Sequence, residues 1–368
     1  MSVFLLVFPG VAILCAPALW LIIGRPRWLR PSPEKSTDAP SISIIIPARN
    51  EEKNLRHLLA SLQIQDTPPL EIIVVNDGSK DHTAQVSQEL GAAVLEAQPL
   101  PGGWHGKPWA CHQGAERAKG EWLLFLDADT ILQEGALTAL QQLTSADPKV
   151  YSLCPYHTIA RPYEEFSAFF NVLMLAGSNA FTPIRDSPPT LFGQSLLLSK
   201  AHYEQVGTHA VVRDEVLENF HLSRHFQDLK IPTRALLGKG LIHMRMFPHG
   251  PGELWASWQK GFTNGAAQSH PRALLFSTIW LSGLMFTLTS LALLLTPFTN
   301  STYITLTGVA YLLGVIQCRY AFRLAGNFSF LNALLFPLAL LFYQTLFFTA
   351  LIKKKRGLKS EWKGRSLD

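Results

Sequence analysis

Hydrophobic positions follow two different rhythms along this chain. Between Ser41 and Phe262, short apolar runs alternate with amphipathic stretches. Ile42-Ser43-Ile44-Ile45-Ile46 predicts a buried strand stopped by Pro47. Glu51 to Gln63 puts Leu55, Leu58, Leu59 and Leu62 on one face, which predicts a helix. Glu71 to Val75 predicts a second strand, and Asp81 is placed to cap a helix through Val86 to Leu90. Ala93-Val94-Leu95 predicts a third strand, Ala110 to Ala118 a helix closed by Gly120, and Trp122 to Leu126 a fourth strand. Strands alternating with helices imply an α/β fold with a mostly parallel sheet.

Outside that region the apolar runs are longer. Phe4 to Ile23 is nearly continuous, close to the roughly 20 residues that a bilayer core requires. Ala273 to Pro297, Tyr303 to Cys318 and Phe328 to Ile352 form a second apolar block. Composition agrees, with 48% hydrophobic and only 16% charged residues. Arg25, Arg27 and Arg30 follow the first run, the reverse of a cleaved signal peptide's charge order. They predict an N-terminal transmembrane anchor over 1–24 with Arg25 cytoplasmic. Pro31 to Ser36 then lies in a linker over 25–40, a catalytic domain over 41–262 is cytoplasmic, and membrane segments fill 273–352. The basic tail 353–368, opening Lys353-Lys354-Lys355-Arg356, is expected in the cytoplasm too. One of the three late segments then does not cross. Tyr303 to Cys318 is the weakest, being short and closed by Arg319 and Arg323. A multi-pass protein of the cell membrane is the expected result. The net charge of +5 sits mostly beside these runs, where it suits anionic lipid rather than nucleic acid. Cys15, Cys111, Cys154 and Cys318 have no paired spacing and read as small hydrophobes.

Three predicted strand ends carry polar groups: Arg49-Asn50-Glu51, Asp77-Gly78-Ser79 and Asp127-Ala128-Asp129. In a parallel sheet these ends lie side by side, where ligands bind. Asn50 or Asp77 alone suits a local turn or cap. Acids gathered at one sheet edge, however, repel unless a cation or donor sits among them. Two carboxylates one residue apart suit a divalent cation that also touches a diphosphate. Gly102-Gly103-Trp104-His105-Gly106-Lys107-Pro108-Trp109 is expected to be a flexible loop whose lysine meets a phosphate. No Gly-x-Gly-x-x-Gly follows the first strand, which argues against a dinucleotide-binding oxidoreductase.

Residues 45–52 (Ile-Ile-Pro-Ala-Arg-Asn-Glu-Glu), 74–83 (Val-Val-Asn-Asp-Gly-Ser-Lys-Asp-His-Thr) and 126–129 (Leu-Asp-Ala-Asp) resemble family 2 glycosyltransferases of the GT-A fold. That resemblance implies a UDP-sugar donor held by Pro47, Asn50, Glu51, Asp77 and Lys107. It places Asp129 on a divalent metal ion, magnesium or manganese, with Asp127 near the ribose or sugar. Pro155-Tyr156-His157, Glu165 to Asn171 and Glu361 to Arg365 are similar to members that glycosylate a carotenoid acid. Pro99 to Trp104 with Gly106-Lys107 is similar to hopanoid-associated members. The resemblance therefore implies an inverting hexosyltransferase acting on a carotenoid acid or another lipid, such as a hopanoid, diacylglycerol or sphingolipid-like alcohol. A nucleotide-binding membrane scaffold is the reading of a different class.

Two departures matter. The family's catalytic Glu-Asp pair reads Glu218-Asn219 here, and an amide cannot accept a proton. Glu218 becomes the candidate catalytic base, with Asp214 and Glu215 as alternatives. A carboxylic acid acceptor is already ionised at neutral pH and requires less help from a base. Of the Gln-x-x-Arg-Trp motif of processive members, only Trp258 and Gly261 remain, which implies a single transfer. Phe166 to Phe181 is apolar, and reads as a core helix or as an interfacial helix that admits a lipid.

Overall fold

The computed structural model describes residues 5–30, 40–146, 149–184, 189–215, 217–265, 270–297, 299–355, 361–362 and 365–366. Linker positions Pro31 to Ser36, and Arg356 of the basic tail, lie outside the described residues. The chain forms two compact units. One comprises Arg27–Thr158 and Pro188–Met246; the other comprises Met1–Pro26, Ile159–Ser187 and Phe247–Asp368. Residues 159–187 thus leave the first unit and return.

The first unit is built on strands β1 (Ile42–Ala48), β2 (Glu71–Asn76), β3 (Ala93–Glu96), β4 (Trp122–Leu126), β5 (Thr130–Leu132), β6 (Val150–Cys154), β7 (Tyr156–His157), β8 (Ser195–Ser199), β9 (Thr233–Leu237) and β10 (Ile242–Met244). Seven of them form one sheet in the order β3-β2-β1-β4-β8-β6-β9, and β5-β10-β7 form a smaller one. The large sheet is mostly parallel, as expected; β8 alone runs antiparallel to its neighbours β4 and β6. Side chains alternate between its faces. Ile44 and Ile46 pack with Leu55, Leu58 and Leu59 on one face, whereas Ile45 packs with Ala110, Cys111 and Phe226 on the other.

Pro47 does not stop β1. The strand continues to Ala48, and Pro47 pairs with Val75 of β2. On the opposite side the ladder with β4 ends at Ile45, so the missing N–H of Pro47 costs no bond there.

The second unit is helical. Pro271–Leu293, Ser301–Ala325 and Phe336–Lys353 are long and apolar enough to cross a membrane. The expected short segment Tyr303 to Cys318 is corrected: it lies inside the 25-residue helix Ser301–Ala325, which runs on through Arg319 and Arg323. Arg319 donates to the Phe328 carbonyl at 3.1 Å, beyond that helix's end. The N-terminal run is two helices, Val7–Cys15 and Ala18–Ile23, which meet around Pro17. Together they span fewer residues than any of the three long helices. The Ala16 carbonyl at the junction is taken by Gln317 Nε2, while Gln317 Oε1 accepts from Trp280 Nε1 at 3.1 Å. Phe166 to Phe181 contains the helix Ala168–Gly177, whose Phe169 and Phe170 are buried. Phe170 stacks on Trp258 at 4.6 Å.

Candidate active site

The ends of β1 and β2 are laced together. Arg49 Nη1 donates to the Asp77 carbonyl at 2.9 Å and lies 3.6 Å from Asp77 Oδ2. The Asp77 N–H donates to the Ala48 carbonyl. Asn50 has φ 53 and Gly78 φ 64, left-handed conformations that asparagine and glycine tolerate best. The Asn50 N–H donates to Ser79 Oγ at 3.0 Å, and Asn50 Oδ1 accepts from the Lys80 N–H at 2.7 Å. The Glu51 N–H donates to Thr83 Oγ1 at 2.9 Å. Asp81 was expected to cap the following helix, but the cap position is His82; Asp81 stands one residue earlier and accepts from the Thr83 N–H at 3.1 Å. Burial works against the Asp81 charge, but bonds from Thr83 and the Glu52 backbone outweigh it and lower the pKa.

Lys107 is not on a loop. The helix Gly106–Arg117 begins four residues earlier than Ala110, and Lys107 stands in its first turn. Pro108 belongs to that turn, where a missing N–H costs nothing. Trp104 packs edge-on against Trp109 at 4.9 Å, and Trp109 Nε1 donates to the Gln98 carbonyl at 3.0 Å. The rings therefore anchor the helix start. Gly114 presses the helix onto the sheet: a Cβ there would lie 2.5 Å from Ile45 Cγ2 and 3.0 Å from Val75 Cγ2.

So placed, the Lys107 ammonium joins two carboxylates. It lies 2.7 Å from Asp127 Oδ1 and 3.0 Å from Glu218 Oε1, and 3.3 Å from the Gly193 carbonyl. Burial opposes its charge, but Asp127 and Glu218 hold its pKa well above the usual lysine value. Glu218 opens the helix Glu218–Asp228, where an acid complements the helix dipole. Its side chain is only 8% exposed. Asn219 Nδ2 donates to Glu218 Oε1 at 2.8 Å. The alternatives are placed differently: Glu215 pairs with His221 at 3.1 Å, and Asp214 is exposed.

Asp129 follows Asp127 at the same sheet edge. Burial, then the charges of Asp127 and Glu51, push its pKa up to about 7. Among the described residues, no group of three or more His, Cys, Asp or Glu is placed to hold a metal ion. The donor set still fits a divalent ion, because such an ion is commonly held by one or two carboxylates plus substrate phosphates. Arg49 was read from the sequence as part of a polar strand end but given no role; Gly193 and Gln194 were not singled out. Gly193-Gln194 carried no signal beyond preceding the apolar run Ser195 to Leu198. In the fold the Gln194 carbonyl accepts from the Asp127 N–H at 3.0 Å.

Residues 43–220 match the family described as Glycosyl transferase family 2. The chain is 34% identical over 331 residues to 4,4'-diaponeurosporenoate glycosyltransferase of Staphylococcus aureus strain MRSA252, covering 88% of each chain. The chain belongs to glycosyl transferase family 2. The corresponding protein of the S. aureus strain bovine RF122 / ET3-1 is as similar to this family member, at 34% over the same length. Among solved structures, glucosyl-3-phosphoglycerate synthase from Mycobacterium tuberculosis, in complex with Mn2+, UDP and phosphoglyceric acid, shares 19% identity with a TM-score of 0.44. That likeness covers 68% of this chain and 88% of the synthase. A mannosyltransferase from Pyrobaculum calidifontis, in complex with GDP-Man and Mn2+, shares 19% identity with a TM-score of 0.46. It covers 85% of this chain and 98% of the mannosyltransferase.

Proposed function

We propose that this family 2 glycosyltransferase transfers glucose from UDP-glucose to the carboxylate of a long apolar carotenoid acid such as 4,4'-diaponeurosporenoate, forming a glycosyl ester. The acceptor class comes from the S. aureus relatives, which align along most of both chains. The observation that carries the chemistry is the Asp127–Lys107–Glu218 arrangement at the carboxyl end of β4. Pro47, Asn50, Glu51 and Asp77 line the nucleoside end, and Lys107 and Asp127 face the sugar and diphosphate. Asp129 holds magnesium or manganese, which supplies positive charge to the departing diphosphate when bound. Glu218, which shares Lys107 with Asp127, stands beside the acceptor. The acceptor attacks opposite the UDP, so the anomeric configuration inverts. The protein is a multi-pass protein of the cell membrane, with the sheet unit on the cytoplasmic side, where Arg25, Arg27 and Arg30 also lie.

The test is glucosyl transfer from UDP-glucose to a carotenoid acid in membranes that carry the full chain. Asp129→Ala is expected to lower the rate on the order of a hundredfold or more, since it removes the charge that counters the diphosphate. Transfer that survives this change intact overturns the reading and leaves a nucleotide-binding scaffold.

A further inference from the structure

Each carboxylate nearest Lys107 is bonded through one of its oxygens. Glu218 Oε1 takes a hydrogen from Lys107 Nζ at 3.0 Å and another from Asn219 Nδ2 at 2.8 Å. Asp127 Oδ1 faces the same ammonium at 2.7 Å. Glu51 Oε2 accepts from Asn54 Nδ2 at 2.7 Å. Asp129 belongs to the diphosphate end, where the proposed function assigns it to a cation. Burial lowers the pKa of His157 to about 4, so its imidazole is a weak proton acceptor.

Asn219 is the opposite case. It is 5% exposed, and its Oδ1 is buried without a hydrogen-bond donor. The amide cannot turn to relieve this, because the Glu218 carboxylate only accepts and must face Nδ2. Gly193 lets the groups close up: a Cβ there would lie 2.9 Å from Asn219 Nδ2 and 3.6 Å from Lys107 Nζ. Beside the ion pairs there is thus a polar oxygen able to accept a hydrogen bond but unable to keep a proton.

We propose that Asn219 sets the acceptor class: it favours acceptors that arrive ionised, namely carboxylic acids, over alcohols. The inference rests on the glycosyltransferase reading of this site. An oxygen of the acceptor carboxylate bonds to the anomeric carbon, the bond from that carbon to the UDP oxygen breaks, and its electron pair leaves on UDP. No proton moves. An alcohol brings a proton that must be removed as the bond forms; Asn219 cannot take it, which leaves only Glu218, whose Oε1 is already bonded to Lys107 and Asn219.

The experiment uses the full chain in lipid nanodiscs with UDP-glucose, divalent metal, and a matched pair of acceptors, a polyene carboxylic acid and its alcohol. The wild type is expected to favour the acid in kcat/KM by about a hundredfold or more, the scale of general-base help. Its rate on the acid should fall at low pH along the acceptor's own ionisation, and that limb should move with an α-fluorinated, more acidic acceptor. Asn219→Asp should raise transfer to the alcohol at least about tenfold, whereas Asn219→Ser should not. Comparable wild-type rates on acid and alcohol overturn the inference but leave the glycosyltransferase reading standing. A pH limb that ignores the acceptor's acidity, or a folded Asn219→Asp variant with no gain on the alcohol, also overturns it. If neither acceptor is glucosylated, the proposed function fails and this inference falls with it. Should Asn219→Asp not fold, the wild-type acceptor ratio and pH limb decide the matter.

Discussion

Lys107 sits in the first turn of its helix, where a cation opposes the helix dipole. Two carboxylates make that placement tenable, and it in turn lets Asp127 and Glu218 come together. At Asp129, burial and the charges of Asp127 and Glu51 outweigh the opposing pull of Lys107 and raise the pKa to about 7. Folding therefore favours the protonated form. The Asp129 contribution to stability is fully present below the ordinary carboxylate range and is lost as pH rises through about 7. The thermal midpoint of metal-free protein in detergent should fall between about pH 5 and 8, and magnesium or manganese should flatten that slope. A slope unchanged by metal would mean that the cation binds elsewhere.

At the scale of elements, the helix Gly106–Arg117 is the part that positions the site. Gly114 fixes its distance from β1 and β2, since added atoms meet the branched side chains of Ile45 and Val75. Gly114→Val should destabilise the protein by about 1–3 kcal/mol, and by displacing Lys107 should lower transfer as well. Denaturation and initial rates measured on one preparation check both effects; loss of stability with full activity would mean that Lys107 tolerates the shift.

The same helix shows what was legible in the sequence. Ala110 to Ala118 carried a visible helical pattern, but Gly102, Gly103, Gly106 and Pro108 read as loop. The first turn accepts glycine and proline because its N–H groups have no intrahelical partner. Lys107 was therefore named for the site but assigned the wrong support. Asp127 and Asp129 were legible because β4 is buried on both faces and reads as five apolar residues in a row. The meeting of Lys107 with Glu218 was not, since it depends on two helix starts far apart in the chain. Ser301–Ala325 was misread for a related reason: Arg319 and Arg323 looked like an end, whereas Arg319 reaches on to the Phe328 carbonyl and the helix continues.

For the molecule as a whole, the helical unit depends on polar groups buried among apolar helices. Gln317 satisfies the Ala16 carbonyl at the junction in the N-terminal run and is itself held by Trp280. A backbone carbonyl in hydrocarbon has no water to turn to. Gln317→Leu should cost about 1–2 kcal/mol, read as a lower thermal midpoint in detergent. An unchanged midpoint would mean that another group takes over that carbonyl.

The two units are interleaved along the chain, and this bears on the order in which a ribosome can complete them. The sheet unit receives β8 and β9 only after residues 159–187 have been made, and it ends at Met246. The helix Val7–Cys15 packs against Pro271–Leu293, which emerges later still. Through most of translation, then, the first apolar segment is without its partner, and the sheet unit can be completed before any of the three long helices has emerged.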